Sequence, residues 1–353
     1  PRAALPRLGR RLVSVGLGLL ALLLGSALVA AGLGAVDIPV PYIFRVFVPR
    51  LKGESSADTT FPNAYAILWN HRLPRIALGA AVGAALSVAG ASLQGLLLNP
   101  LADPYLIGVS AGAAFGAALS VITHTAELAG GLGRTLFGFA AAVLTLLIVY
   151  RLALRNGRLG RESFILAGIV VGSFMWALVT LIMAVAEGGQ LANVISWLLG
   201  NLYRYSAWNH VVPIALLILA ASFGLYYFSR DLNLIALGDD SAQQLGVNVE
   251  KTKRLVILLA ALLTAAAVSV SGVIGFVGLI IPHMARRIWG ADYRLLLPAS
   301  AVLGAVFLVW ADTLARLVLA PSELPVGVIT SLLGAPFFCY LLVVSVRRFS
   351  DSG

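Results

Sequence analysis

The chain has 353 residues, of which 60% are hydrophobic and only 11% are charged, and its mean hydropathy is +0.95. A soluble domain carries roughly 25% charged residues, so this composition excludes a soluble globular protein and indicates one that crosses a membrane several times. The net charge of +10 does not indicate nucleic-acid binding, because the basic residues lie in short groups between apolar segments.

The first apolar run, Leu12 to Val36, follows four arginines. A signal peptide has an apolar core of only about 7–15 residues, whereas about 20 residues are needed to span a bilayer. We therefore predict that this run is a retained membrane helix with its N-terminal end in the cytoplasm.

Apolar segments continue along the chain and give an all-α membrane protein with one domain over residues 1–353. The predicted spans are ten in number: 12–36, 75–98, 106–122, 136–154, 164–186, 209–228, 255–273, 274–289, 295–319 and 327–346.

The seventh and eighth spans could be read as one helix, which would be about 52 Å long against a hydrocarbon core of about 30 Å. The glycines in SGVIGFVGLIIP (271–282) allow a break there. With that break, 17 of the 25 Lys and Arg residues lie on the cytoplasmic side, as positively charged loops prefer. Both termini are then cytoplasmic, and spans 2–5 and 7–10 run in opposite senses, which predicts an inverted repeat.

Residues 37–71 and 230–254 are too polar to cross a bilayer, and residues 187–208 lie between two predicted spans. Residues 37–71 should form an outer loop with one short helix, and residues 187–208 are interpreted as a loop. Residues 230–254 should form two short amphipathic helices on the cytoplasmic face, with Asp239 or Asp240 capping a helix that begins near Ser241. A connection of that length favours a docking surface over a solvated loop.

Several kinds of chemistry are missing from the sequence. There is no phosphate-binding Gly-x-x-x-x-Gly-Lys-Ser/Thr motif, no His-Glu-x-x-His and no Cys/His cluster at ligand spacing, so we predict no catalytic residue, no metal site and no cofactor. Asp312 is the clearest acid within a span, and Arg316 four residues later can pair with it. A carrier driven by an ion gradient normally needs buried acids, so the energy should come from another subunit; a secondary carrier and an assembly subunit stay as alternatives.

Several motifs in order resemble the FecCD-type permeases, the membrane subunits of type II ABC importers. They include NPLADPYLIGVSAGAAFGAA (99–118), LNLIALGDDSAQQLGVNVEKTK (232–253) and SGVIGFVGLIIPHMARRIWGADYR (271–294). The resemblance covers residues 72–342. It implies ten helices in the bacterial inner membrane, a homodimer with the pathway on its two-fold axis, two ATPase subunits on the cytoplasmic loops and a periplasmic substrate-binding protein.

Three groups of functional residues follow from the resemblance together with the predicted topology. The binding protein should dock on arginines at the outer ends of spans 2 and 9, which could otherwise be simple interface anchors: Arg72, Arg75 and Arg316. The ATPase should bind the cytoplasmic loop at Leu237, Gly238, Asp239, Asp240, Ser241, Gln244, Leu245 and Gly246. The pathway and its inner gate, which includes the loop 157–164, should use Ser163, Phe164, Ser173, Met175, Trp176 and Trp197.

The cargo follows less directly from the sequence. Aromatic and Met side chains near the predicted pathway suit a flat, apolar ligand, although the same residue types also pack helices together. We expect haem or a ferric siderophore, with cobalamin as the alternative within the family.

Overall fold

The computed structural model describes residues 5–34, 36–51, 63–155 and 157–350, so residues 52–62 of the predicted outer loop lie outside the described part. The described part is almost entirely helical. Its helices are α1 (Leu5–Gly32), α2 (Val40–Leu51), α3 (Ala64–Ala66), α4 (Leu73–Leu97), α5 (Val109–Ile122), α6 (Leu128–Ala153), α7 (Arg161–Val185), α8 (Gly188–Leu198), α9 (Trp208–Tyr227), α10 (Ser229–Ile235), α11 (Asp239–Gln244), α12 (Val249–Ser271), α13 (Val277–Trp289), α14 (Tyr293–Leu317) and α15 (Val326–Ser350).

Three short elements complete the secondary structure. A π-helical turn, Ile67–Arg72, joins α3 to α4, and a 3-10 turn, Pro104–Ile107, precedes α5. Between α6 and α7 the strands β1 (Leu154–Arg155) and β2 (Arg158–Leu159) form an antiparallel hairpin. The sequence predicts only a loop in this region.

Each predicted span overlaps one helix: α1, α4 to α7, α9 and α12 to α15. Within the described residues, seven helices are long and apolar enough to cross a membrane, and Val109–Ile122 and Val326–Tyr340 are shorter apolar helices. α13 has 13 residues, which gives it a length of about 20 Å, less than the hydrocarbon core. The helices are therefore confirmed, while the count of ten membrane crossings stays a prediction.

Helix α4 lies at the centre of the bundle and is buried along nearly its whole length, packed against α9, α12, α13 and α14. Small residues permit this packing. A Cβ atom at Gly83 would overlap the carbonyl oxygen of Gly304, and one at Gly90 would overlap that of Gly278. The glycine-rich stretch of α4 therefore serves close helix packing.

The break between the seventh and eighth spans is confirmed, since α12 ends at Ser271 and α13 begins at Val277. Gly272 ends α12 with a φ of +70°, a conformation that favours glycine. Tyr105, in the 3-10 turn after α4, closes the break: its hydroxyl donates to the carbonyl of Ile274 and accepts from the Ile274 N–H, both at 2.8 Å. The breaks that follow α4 and α12 therefore meet inside the bundle, while the inverted repeat itself stays a prediction.

Two local predictions need correction. Residues 188–198, interpreted as loop, form helix α8, because the Gln190 side chain accepts the free N–H of Glu187 at 3.4 Å and stabilises the helix start. α11 begins at Asp239 rather than near Ser241, because Gly238 adopts a φ of +108° and takes the capping position. Asp239 and Asp240 then lie in the first turn, where negative charge favours a helix.

Candidate functional site

A buried charge cluster lies where the start of α4 meets the end of α14, on the face that the sequence predicts to be outside (below, the outer face). Arg75 forms a bidentate ion pair with Asp312, with Nε to Oδ2 and Nη2 to Oδ1 both at 2.9 Å. The other end of its guanidinium binds Glu323 at 2.8 Å. Arg316 contacts Asp312 at 3.3 Å, so the predicted pair within α14 is confirmed and is one part of a larger network.

Arg72 uses its charge differently. It donates to the carbonyl oxygens of Ala31 at 2.7 Å, Gly32 at 3.1 Å and Val36. The first two belong to the last turn of α1, whose carbonyls have no partner within the helix, and a cation at this end is favoured by the helix dipole. Within the described residues Arg72 has no carboxylate within ion-pair distance.

The structure brings the three predicted docking arginines together around a cavity of about 360 Å³, which Glu323 and Tyr203 also line. Arg72 and Arg75 are each only 7% exposed, so most of their donors serve contacts within the chain. Three guanidinium groups face Asp312 and Glu323 here, and the charge of Asp37 also acts on Arg72. Their role in docking stays a prediction.

Two features of this cluster could not be found from the sequence. Asp312 and Glu323 are 237 and 248 residues away from Arg75. No local spacing rule connects residues so far apart, and Glu323 reads as an ordinary loop acid. Only the packing of α14 against α4 shows that both carboxylates neutralise Arg75.

At the opposite face, the predicted coupling loop forms α10 and α11 as two short helices. It presents two large apolar side chains to the surroundings: Leu237 is 66% exposed and Leu245 is 59% exposed. Leu237 lies directly before Gly238, and Leu245 directly before Gly246, which has a φ of +88°. Exposed leucines at two successive turns give this face an apolar surface that a partner can cover.

The coupling loop is tied to the gate region by ion pairs that the sequence interpretation did not include. Asp239, at the start of α11, binds Arg161 at 2.5 Å and Lys253 at 2.7 Å. Arg161 begins α7 and also donates to the carbonyl of Leu96 at the end of α4, at 3.1 Å. Glu250 accepts the N–H of Leu159 in β2 at 3.0 Å. α4, α7, α11 and α12 therefore converge on one polar junction.

The predicted pathway helix α7 has one exposed face. Leu166, Val170 and Phe174 are exposed at intervals of four residues, and Ser173 and Trp176 are exposed beside them. The opposite face packs into the core; Phe164, predicted at the gate, is fully buried there, and Met175 is half-buried. Ser163, the other predicted gate residue, is half-buried at the start of the helix.

Trp197, on α8, is nearly buried and lines a second cavity of about 530 Å³ at the outer face. This cavity shares His71 and Tyr203 with the cavity of the docking arginines. In the described part of the chain, no group of three or more His, Cys, Asp or Glu side chains is placed to hold a metal ion.

Comparison with known proteins identifies the family of this chain. The model of the FecCD transport family matches residues 20–344. The cobalamin import system permease protein BtuC of Halobacterium salinarum is 43% identical over 279 residues, which cover 79% of this chain and 74% of that protein. The hemin transport system permease protein HmuU of Yersinia pestis is 39% identical over 328 residues, which cover 92% of this chain and 94% of that protein.

A solved inward-facing structure of a metal-chelate type ABC transporter is similar to this fold with a TM-score of 0.81. Its sequence is 31% identical, and the match covers 94% of this chain and 99% of that one. The chain therefore belongs to the FecCD transport family and is a membrane permease of the type II ABC importer class.

Proposed function

We propose that this chain is the permease subunit of an ATP-driven importer that moves haem or a ferric-siderophore chelate from the periplasm to the cytoplasm. A separate ATPase subunit supplies the energy. The observation that carries the proposal is the junction at Asp239, because it joins an exposed apolar docking surface directly to the start of α7. Movement of that surface by an ATPase would then move the pathway helix.

The exposed face of α7 supports a homodimer in which two copies enclose the pathway. Leu166, Val170 and Phe174 have no cover within the described part of one chain. A second α7 related by a two-fold axis would cover part of this face and leave the rest, with Ser173 and Trp176, toward the cargo. An isologous contact of this kind is the commonest form of homo-oligomer.

The charge cluster supports an ATP-driven importer over a secondary carrier. Asp312, the acid found in a predicted span, is neutralised by Arg75 and Arg316. A carboxylate held by two guanidinium groups is a poor carrier of a transported proton or cation. The relatives are named for different cargoes at similar identity, including hemin, cobalamin and iron(3+)-hydroxamate. The choice of haem or a siderophore as cargo therefore depends on the aromatic side chains, and cobalamin is the alternative.

Co-expression with candidate ATPase subunits and reconstitution into liposomes test this function. We expect an ATPase to co-purify at a one-to-one ratio with this chain. Uptake should then require ATP and a binding protein loaded with haemin or a ferric siderophore. Uptake driven by a proton or sodium gradient without an ATPase would contradict the proposal. Selective uptake of cobalamin would mean that cobalamin, and not haem or a siderophore, is the cargo.

The gate prediction concerns Ser163. We expect a cysteine at this position, in a Cys339→Ser background, to cross-link to its copy in the second subunit in one nucleotide state and less in another. The reason is that Arg161, two residues earlier, ties this part of α7 to the coupling loop. Cysteine at the buried position Phe164 is the matched control, since that side chain faces the core. Equal cross-linking of Ser163→Cys in all nucleotide states would remove Ser163 from the gate.

The docking prediction is best tested at Arg72, because reversing the charge of Arg75 would place another carboxylate beside Asp312 and Glu323. Arg72→Gln removes one positive charge and keeps a hydrogen-bond donor. We expect association with the loaded binding protein to slow several-fold at low ionic strength, since charges at an interface rim act mainly on the association rate. Arg72→Lys keeps the charge and should associate nearly as the parent does. Equal association rates for the two variants would mean that Arg72 only caps α1.

A further inference from the structure

The 530 Å³ cavity at the outer face is large enough for a small ligand, since binding sites commonly have volumes of about 300–1,000 Å³. It combines aromatic surface with polar donors and cations. Its walls include Trp197, Asn201, Tyr203, Tyr205, Arg134 and Arg204. Cations and aromatic rings facing one space are the groups that recognise a flat or apolar ligand bearing negative charge.

Arg134 is the unusual member of this cavity. It lies near the start of α6 and is only 4% exposed. Its side chain also lines an adjoining cavity of about 180 Å³. Within the described residues its guanidinium makes no ion pair, and no hydrogen bond of it is found either. Tyr205 and then Glu127 are the groups that favour its charge, and Glu127 is exposed and held by Arg204 at 3.3 Å.

A largely buried cation without an ion-pair partner is costly, because burial removes most of its water and no carboxylate in the described residues pairs with it. The two arginines also repel each other across the cavity. Such a group is rare in folded proteins unless a bound ion of opposite charge completes its surroundings.

We propose that this cavity is an anion-binding subsite in which Arg134 receives the ionised oxygens of the incoming cargo. The proposal rests on the proposed importer function and narrows its cargo to chelates or porphyrins that carry carboxylate or phenolate groups. The aromatic walls contact the apolar part of the ligand, and Arg204 adds a second positive charge at the rim. The cavity shares His71 and Tyr203 with the cavity of the docking arginines, so a cargo released there would meet Arg134 next.

The test measures the charge selectivity of the cavity directly. Ser196 lines the cavity and is exposed, so a cysteine at this position in a Cys339→Ser background can be modified by small thiol reagents. Two modification rates of this cysteine are measured, one with the anionic sulfonatoethyl methanethiosulfonate and one with the cationic trimethylammonioethyl methanethiosulfonate. Each rate is divided by the rate of the same reagent with a free thiol in solution, and the anionic value is then divided by the cationic value. We expect this ratio to favour the anion and to fall about fivefold at low ionic strength in Arg134→Gln.

Two controls separate the cavity from general charge and from folding. Arg45→Gln removes the same charge from an exposed position on α2 that does not line the cavity, and it should leave the ratio unchanged. Ala207→Cys offers a second exposed reporter in the cavity wall. The thermal stability of Arg134→Gln should equal or exceed that of the parent, since an unpaired buried charge is lost; a clear loss of stability would instead assign Arg134 a structural role.

A competition experiment then identifies the chemistry of the ligand. Citrate, at constant ionic strength, should slow modification of Ser196→Cys by a neutral thiol reagent, whereas the neutral triethyl citrate should not. Protection should be lost in Arg134→Gln. If modification did not depend on reagent charge while ATP-dependent uptake was present, the anion subsite would be wrong and the importer function would hold. If modification depended on charge but no uptake occurred, the subsite would hold and the importer function would be wrong.

Discussion

Replacing Leu245 with aspartate should abolish the stimulation of ATP hydrolysis by the loaded binding protein, and with it transport. Leu245 presents an apolar side chain that is 59% exposed at the turn after α11. Covering a leucine of this kind in a partner's cleft is worth about 2 kcal/mol. Aspartate removes that gain and adds the cost of burying a charge without a partner. The permease should still fold, because the substituted side chain has no role in its own core.

The matched control is Asn248→Asp, which places the same charge three residues later on the same face. Asn248 caps the start of α12, and its side chain accepts the N–H of Lys251 at 3.1 Å, a role that aspartate fills equally well. We expect this variant to hydrolyse ATP and transport as the parent does. Normal stimulated hydrolysis in Leu245→Asp would mean that the ATPase binds elsewhere.

The ion pairs of Asp239 give a physical route by which a movement of the predicted coupling loop would reach α7. Asp239 is bonded to both Arg161 and Lys253, and Lys253 is only 4% exposed at its side chain. A displacement of α11 therefore acts on the start of α7 and the start of α12 together. Charge-assisted contacts of this kind are short and directional, so they transmit a shift better than apolar packing alone does.

Much of this fold follows from the sequence, because membrane helices can be recognised from the composition of consecutive residues. Long apolar runs locate α1, α4, α6, α7, α9, α12 and α14. Each such run forms a helix because its backbone groups must be hydrogen-bonded within the segment when it lies in lipid. The glycines at 272 and 275 locate the break before α13. Helix α8 was missed because Gly188 and Gly189 at its start resemble a loop, although the acceptor Gln190 was a usable signal.

The candidate sites depend on packing and could be predicted only in part. The short helices and turns of the predicted coupling loop were recognisable because they lie within a few consecutive residues, while its binding of an ATPase stays a prediction. The partners of Arg75 were not, because they come from α14 and the loop after it. Arg134 resembled any basic residue at the end of a span, and its isolation became visible only when α6, α8 and the segment after α8 enclosed it.

The buried ion pair at the outer face gives the largest expected effect on stability. Asp312→Asn keeps the shape of the side chain but leaves Arg316 without a carboxylate and Arg75 with only the half-exposed Glu323. The side chains of Arg75, Asp312 and Arg316 are between 3% and 9% exposed. Removing one partner of a buried pair typically costs about 3–5 kcal/mol. We expect a loss of this size in the free energy of unfolding, measured by titration with denaturing detergent in mixed micelles.

Glu323→Gln is the matched control for that loss, because it removes a carboxylate from the same guanidinium at a site where the acid is 42% exposed. Exposed pairs contribute only about 0–1 kcal/mol, so this variant should unfold nearly as the parent does. The comparison works because both substitutions delete one negative charge next to Arg75 and differ in burial. If the two variants lost equal stability, the network would act through its total charge, and Asp312 would have no special part in joining α14 to α4.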